Sequence, residues 1–357
     1  MKNQYKINLI LPFLPKKPGG GSKIMYEYAD RLALLGHEVT FFHINETPYL
    51  KYRIQSFIRF LYNKFLYPSS KPDWYNFKSK NIKFEYVKKI NDKYISDADA
   101  TISTWWSLAY EVQKLSPQKG KKINFIQDYE TWCGYKELVD ESFSIPMTHV
   151  TTSDFLNNLV FSISGKQPIN IYYGFDNEIF KLNNPIETRN KYSLVLMYSE
   201  EPRKGSQYAL NAIKILKNKI PNLEVTIFSV FDKPAILNES WIKYFQKPNN
   251  LNEIYNNNGI FLTSSVNEGW GMPATEAMFC GCAVIATDIE GHLTFVINEQ
   301  TGLTVPIKDE NAIVNAIEKL MIDNELRINL AINGNNFVQQ FTWDKAIEKM
   351  LHLISNP

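Results

Sequence analysis

The sequence predicts an α/β protein of two parallel-sheet domains, and three observations carry that prediction. At 357 residues the chain is too long for one ordinary core. Short apolar runs alternate with helix-period apolar patterns through both halves, the pattern of parallel sheets wrapped by helices. Two stretches, near residues 7–42 and 259–286, each read as strand, glycine-rich turn, helix and strand.

Composition narrows the class. Hydrophobic residues at 44% suit a water-soluble globular chain, and aromatics at 14% are abundant. No apolar run reaches the roughly 18 residues of a transmembrane helix, and no signal-peptide core follows Met1. Cys133, Cys280 and Cys282 have no zinc spacing and form no even framework. A reducing, cytoplasmic setting is expected. Residues 1–181 hold 24 Lys and Arg against 18 Asp and Glu, and the remainder holds 15 against 19. That polarity is too weak for a nucleic-acid footprint.

In chain order, residues 7–11 read as a buried strand. Residues 17–23 form a glycine-rich turn containing Gly20 and Gly21, and a helix runs from Ser22 to Gly36. The turn is neither a Walker A loop, since Gly-Ser-Lys replaces Gly-Lys-Ser, nor GxGxxG. Residues 39–42 are the next strand. Segment 47–71 carries Lys51, Arg53, Arg59, Lys64 and Lys71 with no acid, and Leu50, Ile54, Phe57, Ile58, Leu61 and Phe65 share one helical face. Two readings stay open: a basic amphipathic helix on an anionic membrane surface, or a domain helix with its apolar face in the core. Asp97-Ala-Asp99 has the form of a metal-binding DxD, but such a motif ends a strand and these residues precede one, at 100–103. No metal is expected. A further strand, 122–126, ends at Gln127-Asp128-Tyr129-Glu130, where Asp128 is a candidate acceptor contact or simply a loop cap. Ser153 reads as the N-cap of a helix over 154–161. A polar stretch with Pro185, residues 181–191, is the expected linker, giving domains 1–185 and 186–340.

The second domain opens with a strand at 193–197. Arg203 and Lys204 follow at a strand-to-helix junction, where cations can hold a diphosphate. Strand 259–263 leads through Ser264 and Ser265 to the acidic turn Glu268-Gly269-Trp270-Gly271. Met272-Pro273 then starts a helix that ends at Gly281, before a strand at 283–286. The amide groups of such a helix start attract an anion. Two carboxylates, Glu268 in the turn and Glu276 in what reads as the first helical turn, punctuate this unit.

The form EGWGMPATEA, with Glu268 and Glu276 eight apart, resembles the signature of glycosyltransferase family 4. The turn after the first strand, residues 169–180, and the phrases at 289–295 and 301–306 carry the same resemblance. Phe-Ile-Gln-Asp-Tyr-Glu at 125–130 resembles its rhamnosyltransferase-like branch. The resemblance implies a retaining, metal-independent enzyme of GT-B fold, whose two Rossmann-like domains face across a cleft. It implies transfer of a sugar from a nucleotide-diphosphate donor, a substrate and not a cofactor, to a polysaccharide or lipid-linked acceptor. Glu268 would meet the donor sugar, Lys204 and Arg203 the diphosphate, and Glu276 the ribose. Gly20, Gly21, Gly269, Trp270, Gly271 and Met272 would line the donor, Phe231 would pack the base, and residues 341–357 would return to the first domain. The family's arginine stands several residues before the lysine, where this chain has Ser199, so Lys204 transfers more securely than Arg203. A histidine common near residues 104–109 is missing too. A nucleotide-sugar epimerase of the same fold and a non-catalytic partner subunit stay open as alternatives.

Overall fold

The computed structural model describes residues 4–51 and 55–356, and the chain divides into two compact units. The first comprises residues 1–173 with 344–357, the second residues 174–343.

In the first unit the strands are β1 (Lys6–Leu11), β2 (Glu38–Ile44), β3 (Ile82–Val87), β4 (Ala100–Ser103), β5 (Lys121–Ile126), β6 (Thr148–Thr151) and β7 (Ile169–Asn170). They form one parallel sheet in the order β3-β2-β1-β4-β5-β6-β7. The connecting helices are α1 (Gly20–Leu34), α2 (Ser56–Leu66), α3 (Trp106–Val112), α4 (Lys136–Ser142) and α5 (Asp154–Ser164). α1 starts at Gly20, two residues before the expected Ser22, so Gly20 and Gly21 lie in its first turn. Ser153 caps α5 as expected, accepting the Leu156 N–H at 3.3 Å. Asp97 and Asp99 serve the amino-terminal edge of the sheet. Asp99 accepts the Lys6 N–H at 2.7 Å, and Asp97 pairs with Lys119 at 2.7 Å.

The second unit holds β8 (Ser193–Met197), β9 (Glu224–Ser229), β10 (Ile242–Gln246), β11 (Ile260–Thr263), β12 (Ala283–Thr287) and β13 (Leu303–Val305). Their parallel order is β10-β9-β8-β11-β12-β13. Helices α6 (Ser206–Lys219), α7 (Leu251–Asn256), α8 (Met272–Phe279), α9 (Glu290–Leu293), α10 (Glu310–Ile322) and α11 (Asn324–Val338) accompany them. The central strands are near-continuous apolar runs because both faces are covered, and Leu194, Ile227, Ile260 and Ile285 are fully buried. The chain lays strands outward from β8 in one direction and then restarts at β11 on the other side. This reversal opens a crevice at the carboxyl ends of β8 and β11.

The unit boundary at Tyr173/Gly174 precedes the expected one at 185/186. Residues 181–191 are no loose linker. Phe180 packs on Tyr255, and the buried Arg189 guanidinium donates to carbonyls of Asn184, Asn258 and Cys280. The last helix, α12 (Trp343–Ser355), falls with the first unit from Asp344 on, and Lys121 of β5 donates to its Leu353 carbonyl at 2.9 Å.

His43 puts a titratable ring in the core. His43 is fully buried, bonds to the Tyr26 hydroxyl at 2.8 Å, and burial pushes its pKa down to about 3. The unfolded chain protonates this ring below about pH 6.5 while the folded one does not. Its contribution to stability is therefore full above that pH and is lost as pH falls. The stability difference between wild type and His43→Phe should shrink by about 2 kcal/mol from roughly pH 7.5 to pH 5. Urea unfolding at both pH values checks this, and a constant difference would show that the folded state takes up the proton too.

Candidate active site

Two strand-to-helix junctions meet at the crevice of the second unit. After β8 the chain makes a short turn through Pro202–Lys204 and enters α6 from Gly205, whose φ is +61°. A Cβ on Gly205 would lie 2.0 Å from the Ser264 carbonyl oxygen, so glycine permits the close approach. After β11, Ser264 donates to the Gly205 carbonyl at 2.9 Å, and the Val266 N–H donates to the Arg203 carbonyl at 2.7 Å. These bonds lock the two junctions together.

The lock brings Lys204 and Glu268 into contact. Their Nζ and Oε2 atoms are 2.8 Å apart, and the side chains are 15% and 9% exposed. Ser265 donates to the other carboxylate oxygen at 2.6 Å. Burial alone would raise the Glu268 carboxyl, but the Lys204 charge, with the hydrogen bonds from Lys204 and Ser265, holds its pKa down to about 2. Glu268 is thus a carboxylate throughout the physiological range.

Beyond the turn, Gly271 (φ +107°) precedes α8, which has Pro273 at its start, no side-chain cap and no acid in its first turn. Pro273 carries no N–H and the Ala274 N–H goes to the Gly271 carbonyl at 3.0 Å, so the Met272 N–H is the amide of the helix start left to meet an anion. Glu276 sits one turn further in than expected. It is 6% exposed and accepts the Tyr255 hydroxyl at 3.2 Å. Gly269 and Met272 flank the turn in sequence, but the Trp270 side chain is 2% exposed and belongs to the core. Its ring packs on Phe175, Phe295 and Phe341, and its Nε1 donates to Thr275. Arg203 turns to Glu201, with Nε 2.9 Å from the carboxylate. Phe231 stands half-buried past the end of β9, its carbonyl accepting the Tyr244 hydroxyl at 2.9 Å.

His292 escaped the sequence reading as a site residue. It is fully buried, and Nδ1 donates to the Thr287 carbonyl at 2.9 Å, which leaves Nε2 as the unprotonated nitrogen. Nε2 has no hydrogen-bond partner among the described residues. A Cβ on Gly271 would fall 2.9 Å from it, so the ring packs directly behind the turn. Burial lowers its pKa against the pull of Glu268, so the imidazole is neutral and Lys204 is the cation that counts. Ser265 escaped as well; the signal for it was its place three residues before the acid.

In the first unit, Gly21 offers its carbonyl to the Gln127 amide at 3.2 Å, and Gln127 also donates to Thr104. Asp128 accepts its neighbour's N–H, from Tyr129, at 2.9 Å, as a loop cap does. Beside it the buried Glu130 accepts the Trp106 N–H at 2.8 Å, and burial pushes its pKa up to about 8. A groove of about 1450 Å³ also opens in this unit, but it lies at the amino-terminal edge of the sheet, lined by Tyr5, His37, Lys121 and Thr148.

Residues 179–337 match the family model of Glycosyl transferases group 1. The second unit thus carries a glycosyl transferases group 1 domain, and Lys204, Glu268 and Glu276 all fall within it. The capsular polysaccharide biosynthesis glycosyltransferase CapM of Staphylococcus aureus is 29% identical over 156 residues, 40% of this chain and 41% of that protein. A Campylobacter jejuni N,N'-diacetylbacillosaminyl-diphospho-undecaprenol alpha-1,3-N-acetylgalactosaminyltransferase is 29% identical over 117 residues, 33% of this chain and 31% of that one. The matches span about two fifths or less of the length of these relatives. Among solved structures, sucrose-phosphate synthase from Thermosynechococcus elongatus aligns with a TM-score of 0.75 at 17% identity, over 98% of both chains. Anabaena HepE in complex with UDP-glucose gives 0.73 at 13%, over 98% of this chain and 99% of that one. The fold is therefore GT-B, with two parallel-sheet, Rossmann-like halves of which the group 1 domain is the second.

Proposed function

We propose that this chain is a retaining glycosyltransferase of the family 4 type, close to the rhamnosyltransferase-like branch. It moves a hexosyl or deoxyhexosyl group from a nucleotide diphosphate to a cell-surface polysaccharide or glycolipid acceptor, without a bound metal, from the inner face of the membrane. The observation that carries this reading is the Lys204–Glu268 contact at the start of α8, in the crevice between β8 and β11. Breaking the bond from the anomeric carbon sends negative charge to the diphosphate. Lys204 and the Met272 amide at the start of α8 are the groups that meet charge developing there. Glu268, ionised beside them, orients the sugar and offsets positive charge at the anomeric carbon. Glu276, deeper along the helix, takes the ribose hydroxyls. The family relatives named for polysaccharide and lipid-linked glycan synthesis support the acceptor class.

The test is a thermal-shift panel of UDP-, GDP- and dTDP-sugars. The true donor at 100 times its Kd should add about 2.7 kcal/mol of stability. Transfer to an acceptor should then proceed in EDTA. A panel with no shift, or a product made from donor alone as an epimerase makes it, would sink the reading.

A further inference from the structure

Helix α2 is built inside out. Its polar side faces the domain: Asn63 donates to the Tyr86 hydroxyl at 2.8 Å, and Arg59 Nε donates to Asn45 at 3.1 Å. Asn45 in turn accepts from Tyr86 and donates to the Ser56 carbonyl, while the Phe60 ring stacks on Tyr86. Its apolar side faces out. Phe65 is 84% exposed, Phe57 68%, Ile58 55%, Leu61 52% and Tyr62 51%. Residues spaced 57, 58, 61, 62, 65 lie along one face of a helix. An ordinary domain helix buries that stripe and shows water its charges. Of the two readings the sequence left open for segment 47–71, burial of the apolar face in the domain is not what the fold adopts.

We infer that the Phe57–Phe65 face of α2 is an insertion surface for an anionic lipid bilayer, with Lys16 and Lys64 beside it to meet the headgroups. Charge complementarity selects this occupant. Segment 47–71 contains no acid, and the preceding Glu46 is taken up by Ser56 and Lys88. Lys16 Nζ stands 5.2 Å over the Tyr62 ring of the stripe, and the exposed Lys64, next to Phe65 in sequence, lies 5.4 Å over the adjoining Phe60 ring. Aromatic and aliphatic residues on one face, bordered by lysine, are what a helix lying in the membrane interface presents. A second copy of the chain fits less well, because a two-fold pairing would set the same cations against each other. Arg53 and its neighbours Tyr52 and Ile54 lie outside the described residues.

This inference rests on the peripheral placement proposed above, and the experiment separates the two. The full chain is sedimented with vesicles of phosphatidylcholine alone and of phosphatidylcholine mixed with phosphatidylglycerol, in low and moderate salt. Wild type should bind the anionic vesicles and largely ignore the neutral ones. Phe57→Ser with Phe65→Ser, at exposed positions, should lower partitioning about tenfold or more. Lys16→Gln with Lys64→Gln should weaken it chiefly at low salt. All variants should keep the wild-type thermal shift with donor and turnover on a soluble acceptor. Undiminished binding by the double serine variant would overturn the assignment of α2 while leaving the peripheral reading in place. No vesicle binding by wild type would sink both, and loss of a wild-type dimer in the serine variant would give the face to a second copy instead.

Discussion

Lys204→Met should lower turnover by about 10²-fold or more and remove on the order of 3 kcal/mol of stability. The stability loss does not depend on the proposed reaction. Glu268 and Lys204 sit in a pocket that exposes 9% and 15% of their side chains, at 2.8 Å from each other. Removing the cation leaves a buried carboxylate with the Ser265 hydroxyl as its remaining named donor, and an unpaired buried charge is among the costliest defects a fold can carry. The sign with pH follows. A carboxyl held near 2 contributes stability above its unfolded pKa of about 4.5 and loses it as pH falls through its folded value. Without Lys204 the folded pKa rises, so the variant should regain relative stability as the solution is acidified. Adding Glu268→Gln to Lys204→Met should restore much of the stability and none of the turnover. Equal urea midpoints for wild type and Lys204→Met would mean that the ion pair is not what holds the turn.

The region around Glu268 was legible because local chemistry and tertiary structure agree there. Pro273 starts α8, Gly281 ends it at φ +79°, and the apolar runs on either side became β11 and β12. Where the reading slipped, a long-range contact decided the outcome. The stretch 181–191 looks like a linker because it is polar, yet Arg189 binds carbonyls of residues far along the chain. Trp270 sits within the motif but turns into the core to meet Phe175, Phe295 and Phe341. Amphipathicity announced α2 without saying which side faces water, since periodicity measures the contrast between faces and not their direction. His292 lies in the 289–295 phrase but was not singled out there, because its place behind Gly271, twenty-one residues earlier in the chain, is set by packing.

The two glutamates should separate donor binding from transfer. Glu276 is held inside α8 by the Tyr255 hydroxyl, so alanine there would strand a buried phenol as well as remove the carboxylate. Glu276→Gln keeps the acceptor oxygen for Tyr255 and the side-chain shape. It should weaken binding of the bare nucleoside diphosphate by about 10-fold or more and raise KM, with little change in kcat. That is the pattern expected when an interaction is equally strong in ground and transition states. Glu268 is different, because on the proposed reading its charge beside Lys204 would oppose a diphosphate in the ground state and would gain a further, cationic partner only as positive charge builds on the sugar. Glu268→Gln frees Lys204 for the phosphates, so nucleotide should bind as tightly as to wild type or more tightly. Turnover should nevertheless fall by about 10²-fold or more. Calorimetry with the nucleotide and initial rates on the intact donor decide the matter for each residue by itself. Normal turnover in Glu268→Gln would remove that carboxylate from the transition state, and wild-type nucleotide affinity in Glu276→Gln would take the ribose away from α8.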